Sequence, residues 1–150
     1  MPDKESARHD TVGAWTKRCY LAARAVMDDM LRPFDLGATQ WYVMYHLAHE
    51  GPTRQRELQR VLHVERATLS SVVLALVRKQ LIEQIPDHAD QRQKLLGLTE
   101  LGHALWHELP DLTRIHTMAF GDIDPHDIEI AIRVLQAAAE RLEGQLRKEV

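Results

Sequence analysis

A mainly α-helical chain with one small β-hairpin is predicted by three observations along the 150 residues. Apolar residues recur at helical spacing in six separate stretches. Between Leu81 and Leu98 the spacing shortens to two strand-like runs. Glycine, proline and small polar residues fall at the ends of these stretches, where helices start and stop.

The first helix spans about residues 10 to 32, with Val12, Trp15, Cys19, Ala22, Val26 and Met30 on one stripe and Pro33 ending it. Thr39 is placed to cap a second helix, Gln40 to His49, which Gly51-Pro52 closes. Thr53 then caps a short third helix, with Glu57 near the position of a reciprocal bond and Leu58, Val61 and Leu62 as its apolar side. Glu65 to Gln80 reads as a fourth helix, carrying Leu69, Val72, Val73, Leu76 and Val77 inward. Leu81 to Ile85 and Lys94 to Leu98 are strands joined by the polar PDHADQRQ. Thr99 caps a fifth helix that buries Leu101, Leu105, Leu109 and Leu112. Asp124-Pro125 is a cap followed by proline at the first helical position, opening a last helix to about Lys148.

Three central helices followed by a two-stranded wing make a winged helix-turn-helix, at about residues 36–98 of one domain covering 1–150. The remaining helices, about 10–32 and 99–148, carry more apolar residues than a small core needs, and a dimerisation region is their simplest use. The net charge is −3, yet Gly51 to Gly97 holds eight basic against five acidic residues, so this middle is +3 and the rest −6. A basic middle between acidic ends fits a localised phosphate-binding surface. No apolar run approaches the roughly 20 residues of a membrane span. The start MPDKESARHD has no apolar signal stretch, and a cytoplasmic protein is expected. The single cysteine, Cys19, excludes an intramolecular disulfide and a multi-cysteine zinc site. No glycine-rich phosphate loop, nucleophile elbow or HExxH is present, so no enzyme is expected.

In a helix-turn-helix the second helix sets its N-terminal residues against base edges. Small hydroxyls and long arginines suit a groove of that width. Arg66, Thr68, Ser70 and Ser71 meet this requirement, although Ser and Thr can equally serve as an ordinary helix start with a solvated arginine. Thr53, Arg54 and Arg56 on the preceding helix, Arg78 and Lys79 at the helix end, and Lys94 on the wing complete a DNA-facing set. At the wing tip, Asp87-His88-Ala89-Asp90-Gln91-Arg92 offers an arginine to a narrow minor groove and an aspartate to orient it. A polar turn with an incidental ion pair is the plainer alternative.

From Leu36 nearly to Pro110, LGATQWYVMYHL, RQRELQRVLHVERATLSSVV, LVRKQLIEQ, DHADQRQKLLGLTELG and LWHELP resemble the MarR (multiple antibiotic resistance regulator) family. The L-T-x-x-G after the wing and the D-x-R within it are its most specific marks. The resemblance implies an obligate homodimer on a pseudo-palindromic double-stranded operator, with repression relieved by a small molecule and no cofactor. It also places Arg66, Thr68, Ser70 and Ser71 on the recognition helix and Arg92 on the wing tip. The chain departs from the family at Gln80, where glycine is usual before the Leu-Ile. If that helix end needs φ > 0, glutamine there is slightly strained.

Three kinds of signal remain open. Redox-sensing relatives carry a cysteine on the first helix, but counting back from LGAT reaches Trp15, and Cys19 lies one turn later. With only Lys17 and Arg18 nearby to favour a thiolate, Cys19 is expected to be a buried structural cysteine. Zinc-sensing relatives point to His46 and His49 on the second helix, with His103 and His107 four apart on one face, although such histidines on an amphipathic helix are commonly solvated. The third signal is an aromatic acid or phenol held by Trp15, Arg18, Cys19, Trp41, Met44 and Tyr45, with Arg18 as carboxylate partner. For each aromatic residue, core filling is the alternative. A winged-helix protein–protein adaptor without specific DNA binding is the rival from another class.

Overall fold

The computed structural model describes residues 10–90 and 92–148. The leader reading of the first residues and the role of Gln91 in the wing tip therefore lie outside the described residues. The elements are α1 (Val12–Leu31), a 3-10 turn (Arg32–Phe34), α2 (Ala38–Glu50), β1 (Thr53–Arg54), α3 (Gln55–Leu62), α4 (Arg66–Arg78), β2 (Ile82–Pro86), β3 (Lys94–Leu98), α5 (Glu100–Glu108), α6 (Thr113–Phe120) and α7 (Pro125–Lys148). The chain divides after Asp111 into a larger unit with α1 to α5 and the sheet, and a smaller unit with α6 and α7.

In the larger unit, α2 is central and packs against α1, α3, α4, α5 and β3. Leu31, Val43, Met44, Leu47, Leu58, Leu69, Leu76, Ile82 and Leu96 are fully buried. Every α-helix from α1 to α4 and both long strands supply at least one of them, so the core forms only when the helix-turn-helix and the wing are both in place. The wing is a three-stranded antiparallel sheet in the order β1-β3-β2, with Thr53 opposite Leu96 and Ile82 opposite Leu98. The sequence reading expected only the hairpin. The added strand is two residues long, and its threonine carries the same signature as a helix cap.

Several helix ends form as expected. The Thr99 hydroxyl accepts from the Gly102 N–H (2.9 Å) and donates to the Gln80 carbonyl (2.6 Å). One side chain thus caps α5 and ties down the turn that ends α4. Asp124 accepts from the His126 N–H (2.8 Å), with Pro125 opening α7. Gly51 takes φ 78° at the end of α2, and Gln80 takes φ 60° where the family's glycine would stand. Gly102 has a different reason to be glycine. A Cβ there would lie 2.0 Å from the Leu81 carbonyl oxygen, so α5 seats on the start of the wing only without one.

Other expectations are corrected. α2 begins at Ala38 after Gly37, and the Thr39 hydroxyl accepts from Arg24 (2.7 Å) instead of capping. Arg54 is the N-cap of α3, and Thr53 is buried in β1 with its hydroxyl donated to the Gly51 carbonyl (2.9 Å). Glu57 pairs with Arg60 rather than with the helix start. On α4, Leu69, Val73 and Leu76 are buried, but Val77 is 37% exposed. Past α5 the single expected helix is broken, because Pro110 follows Leu109 and α6 starts separately at Thr113. Leu101 is exposed, because its turn of α5 directs Gly102 rather than Leu101 at the wing. Neither α6 nor α7 contains a buried residue. On α1 only Met27 and Leu31 are buried, so the predicted stripe from Val12 to Met30 is left mostly uncovered by its own chain.

Candidate nucleic-acid interface

α3 and α4 are joined by His63, Val64 and Glu65, with His63 left-handed at φ 51°. The His63 N–H bonds back to the Gln59 carbonyl and so closes α3 before the chain turns. Leu58 from α3 and Leu69 and Val73 from α4 are buried, and both helices pack against α2. The opposite side of the start of α4 is therefore free. Arg66, Thr68, Ser70 and Ser71 are all exposed there. Ser70 also accepts a hydrogen bond from the Gln55 side-chain amide at the start of α3 (3.2 Å). Arg56, Arg60, His63 and Gln93 line, with others, an open groove of about 650 Å³ between α3 and the wing.

The wing is organised by two aspartates. The Asp90 carboxylate accepts from the Arg92 N–H (3.1 Å), so the expected aspartate two residues before the arginine holds the tip, and Arg92 is exposed. Asp87 is buried and accepts from the Ala89 N–H (2.9 Å) and from Arg54 Nη2 (2.6 Å) and Nε (3.2 Å). The Arg54 guanidinium, and then the Ala89 N–H, hold its carboxyl below the usual carboxylate range. Arg54 is therefore first a tether between the start of α3 and the loop that joins β2 to β3.

Two further members of the expected DNA-facing set sit elsewhere. Thr53 is buried, as described. The Lys79 ammonium donates to the Asp35 carbonyl and to Gln40 Oε1 (2.9 Å), which ties the end of α4 to the connection between α1 and α2. Arg78 and Lys94 are exposed. With Arg56, Arg66, Thr68, Ser70, Ser71 and Arg92 they remain the outward-facing set.

The aromatic residues form a different group from the one expected. Trp41 lies 5.1 Å from Tyr45 and 5.6 Å from Trp106 between ring centres, and His49 stacks on Tyr45 at 4.1 Å. Trp106 was missed because α5 meets α2 only in space, more than fifty residues on, whereas His49 lies one turn after Tyr45 on α2 itself. Met44 is fully buried and cannot line an open pocket. On α1, Trp15 donates to Asp10 (2.9 Å) and Arg18 lies over the Trp15 ring at 4.9 Å, and among the described residues the ring partners of Trp41 are Tyr42, Tyr45 and Trp106. The arginine of α1 that does face α2 is Arg24. It is half-buried, bonds the Thr39 and Tyr20 hydroxyls, and has no carboxylate partner among the described residues. Its signal in the sequence was its phase, six residues from Arg18 and hence on another side of the helix. Cys19 is exposed rather than buried, since the described residues leave its end of the stripe uncovered. No group of three His, Cys, Asp or Glu that could hold a metal occurs among the described residues, so His46, His103 and His107 do not converge.

The MarR family model matches residues 36–94, the stretch from the start of α2 to the start of β3. Over that stretch the chain resembles the MarR family. It is 27% identical over 116 residues to the transcriptional repressor NicR of Pseudomonas putida, covering 77% of this chain and 73% of that one. Among solved structures, BpsR of Bordetella bronchiseptica, whose DNA binding is regulated by 6-hydroxynicotinic acid, superposes with a TM-score of 0.76 at 24% identity, over 87% of this chain and 94% of that one. A cysteine-to-serine variant of MarR from E. coli in complex with operator DNA gives 0.74 at 22% identity, over 85% and 92%. The chain thus has the fold of the winged-helix transcription regulators it matches. None of its described helices is long and apolar enough to cross a membrane.

Proposed function

We propose that the protein is a cytoplasmic homodimeric repressor that binds a pseudo-palindromic operator and is released from it by a small aromatic or heteroaromatic acid. The observation that carries DNA reading is the exposed N-terminal face of α4, Arg66 to Ser71, on a helix held from behind by Leu69, Val73 and Leu76. Arg66 reads one base pair in the major groove, and Arg92 sits in the minor groove beside it. Two copies reach successive major grooves, with half-sites roughly one helical turn apart.

The acid is held against Trp41, Tyr45 and Trp106. We assign its carboxylate to Arg24, because Arg18 is engaged over Trp15 while Arg24 faces α2 without a counter-ion. BpsR, regulated by 6-hydroxynicotinic acid, supports the same class of effector. Release follows only if the acid binds better to a dimer whose recognition helices are wrongly spaced.

The test titrates 6-hydroxynicotinate and hydroxybenzoates against the protein on its selected duplex. Arg66→Ala should cost about 1–3 kcal/mol and relax preference at one base pair. Arg24→Gln should keep duplex binding but lose release, and Arg18→Ala should keep both. Release that persists in Arg24→Gln places the acid elsewhere, release lost only in Cys19→Ser indicates redox sensing, and DNA binding that needs zinc indicates metal sensing. Duplex binding without salt dependence would favour a protein–protein adaptor.

A further inference from the structure

We propose that Gln55, the first residue of α3, sets what Ser70 can read in the major groove, so that the helix before the recognition helix is part of sequence specificity. The inference rests on α4 being the DNA-reading helix. Gln55 Nε2 donates to Ser70 Oγ at 3.2 Å, across the gap between the starts of the two helices. Ser70 lies on the exposed side of α4 in the same turn as Thr68 and Ser71. A serine hydroxyl has one proton and two lone pairs, and by itself it serves a base-edge donor or acceptor equally. With one lone pair occupied by the Gln55 amide, the hydroxyl proton is left for an outside acceptor. The pair therefore favours a base edge that accepts: purine N7, guanine O6 or thymine O4.

Gln55 itself is half-buried, and its side-chain amide reaches Ser70. Gln55 is thus a positioning residue that acts through the polarity of a neighbouring hydroxyl. Its arrangement also forecasts a reversal. In Gln55→Glu the carboxylate can only accept, so the Ser70 proton turns inward and the hydroxyl presents lone pairs to the groove. The favoured edge then becomes a donor, the exocyclic amine of adenine or cytosine.

The experiment selects duplexes from a random-sequence library with the parent, Gln55→Ala, Gln55→Glu and Ser70→Ala, after thermal melting has confirmed that each variant folds. The parent should enrich an acceptor-bearing base at one position in each half-site. Gln55→Ala should flatten that preference roughly two- to tenfold, the size of one hydrogen bond, with other positions unchanged. Gln55→Glu should exchange it for a donor-bearing base, whatever its overall loss of affinity. In Ser70→Ala, removal of the Gln55 side chain should have no further effect on preference. A merely structural Gln55 would lower affinity for all duplexes alike and leave the base preferences of the parent, and that result overturns the inference. If the parent enriches no motif at all, the DNA-reading role of α4 falls with it. A parent motif that both Gln55 variants reproduce removes Gln55 alone.

Discussion

The winged lobe and the last helix treat their apolar residues in opposite ways. In the lobe, Leu58, Leu69, Leu76, Ile82 and Leu96 are fully buried by neighbours from the same chain. In α7, 24 residues long, none is buried, and Ile132, Leu142 and Leu146 are 51%, 68% and 67% exposed. Both regions are amphipathic in sequence, so amphipathicity alone does not distinguish a core from a surface awaiting a partner. The difference is that a lobe of three helices and a sheet can enclose its own apolar face, whereas a lone helix cannot. Exposed apolar surface of this extent marks an association site. A second copy of the chain is the occupant we propose.

The sharpest way to break this comparison is to charge the uncovered face. Leu142→Lys combined with Leu146→Lys should leave melting of the lobe unchanged but convert a dimer to a monomer in analytical ultracentrifugation. Duplex affinity should then fall about a hundredfold or more, since two tethered half-site contacts become one. Dimers that persist in this variant would show that α7 is not the contact. The converse change lies in the lobe. Leu58→Ala should cost about 2–5 kcal/mol of stability in urea titration, because its buried volume cannot be refilled. A cost well under 1 kcal/mol there would mean that the lobe is less self-sufficient than its burial implies.

What was legible in the sequence divides along the same line. Local chemistry was readable: the cap at Thr99, the Asp124-Pro125 start and the left-handed turn at Gln80 all depend on residues within a few positions. The outward placement of Arg66, Thr68, Ser70 and Ser71 was readable too, since helix phase against Leu69 and Val73 decides it. Contacts between distant elements were not. Thr53 resembles a cap until Leu96 is seen opposite it in β3, and Lys79 resembles a phosphate ligand until Asp35 and Gln40 are seen around its ammonium. Trp41 and Tyr45 were assigned to one pocket with Trp15, but their partner is Trp106, which joins them only when α5 is laid on α2.

The join between wing and lobe offers a smaller effect, controlled by pH. The Arg54 guanidinium, followed by the Ala89 N–H, holds the Asp87 carboxyl below its ordinary value. A folded value below the unfolded one means that the contribution of the tether is fully present above the unfolded value of about 4. It is lost as pH falls through the folded value. Below about pH 4, the amides of β2 and β3 should therefore lose hydrogen-exchange protection before those of α2. Asp87→Asn should show weaker wing protection at neutral pH and no further loss in that acid range. A wing whose protection is the same in parent and variant from neutral pH to pH 3 would show that the Arg54–Asp87 pair does not hold it.

The smallest expected effect is at Gln80, where lobe and wing meet in a single residue. Its φ of 60° is a conformation that costs an L-amino acid about 1–2 kcal/mol relative to the right-handed one. The turn is nevertheless held, because the Gln80 carbonyl accepts from the Thr99 hydroxyl (2.6 Å) and the Leu81 N–H reaches back to the Leu76 carbonyl (3.0 Å). Both bonds are made by the backbone of the turn, so they survive removal of the glutamine side chain. Gln80→Gly would relieve the strain but free the unfolded chain by about 0.5–1 kcal/mol. The net expectation is a gain of up to about 1 kcal/mol in urea titration, with the denaturant slope unchanged. Gln80→Ala, which keeps the strain, should be within about 0.5 kcal/mol of the parent. If glycine instead destabilises while alanine does not, the residue is not strained in the folded state. The turn would then be held in another conformation, and the seat of α5 on the wing at Gly102 would have to be drawn again.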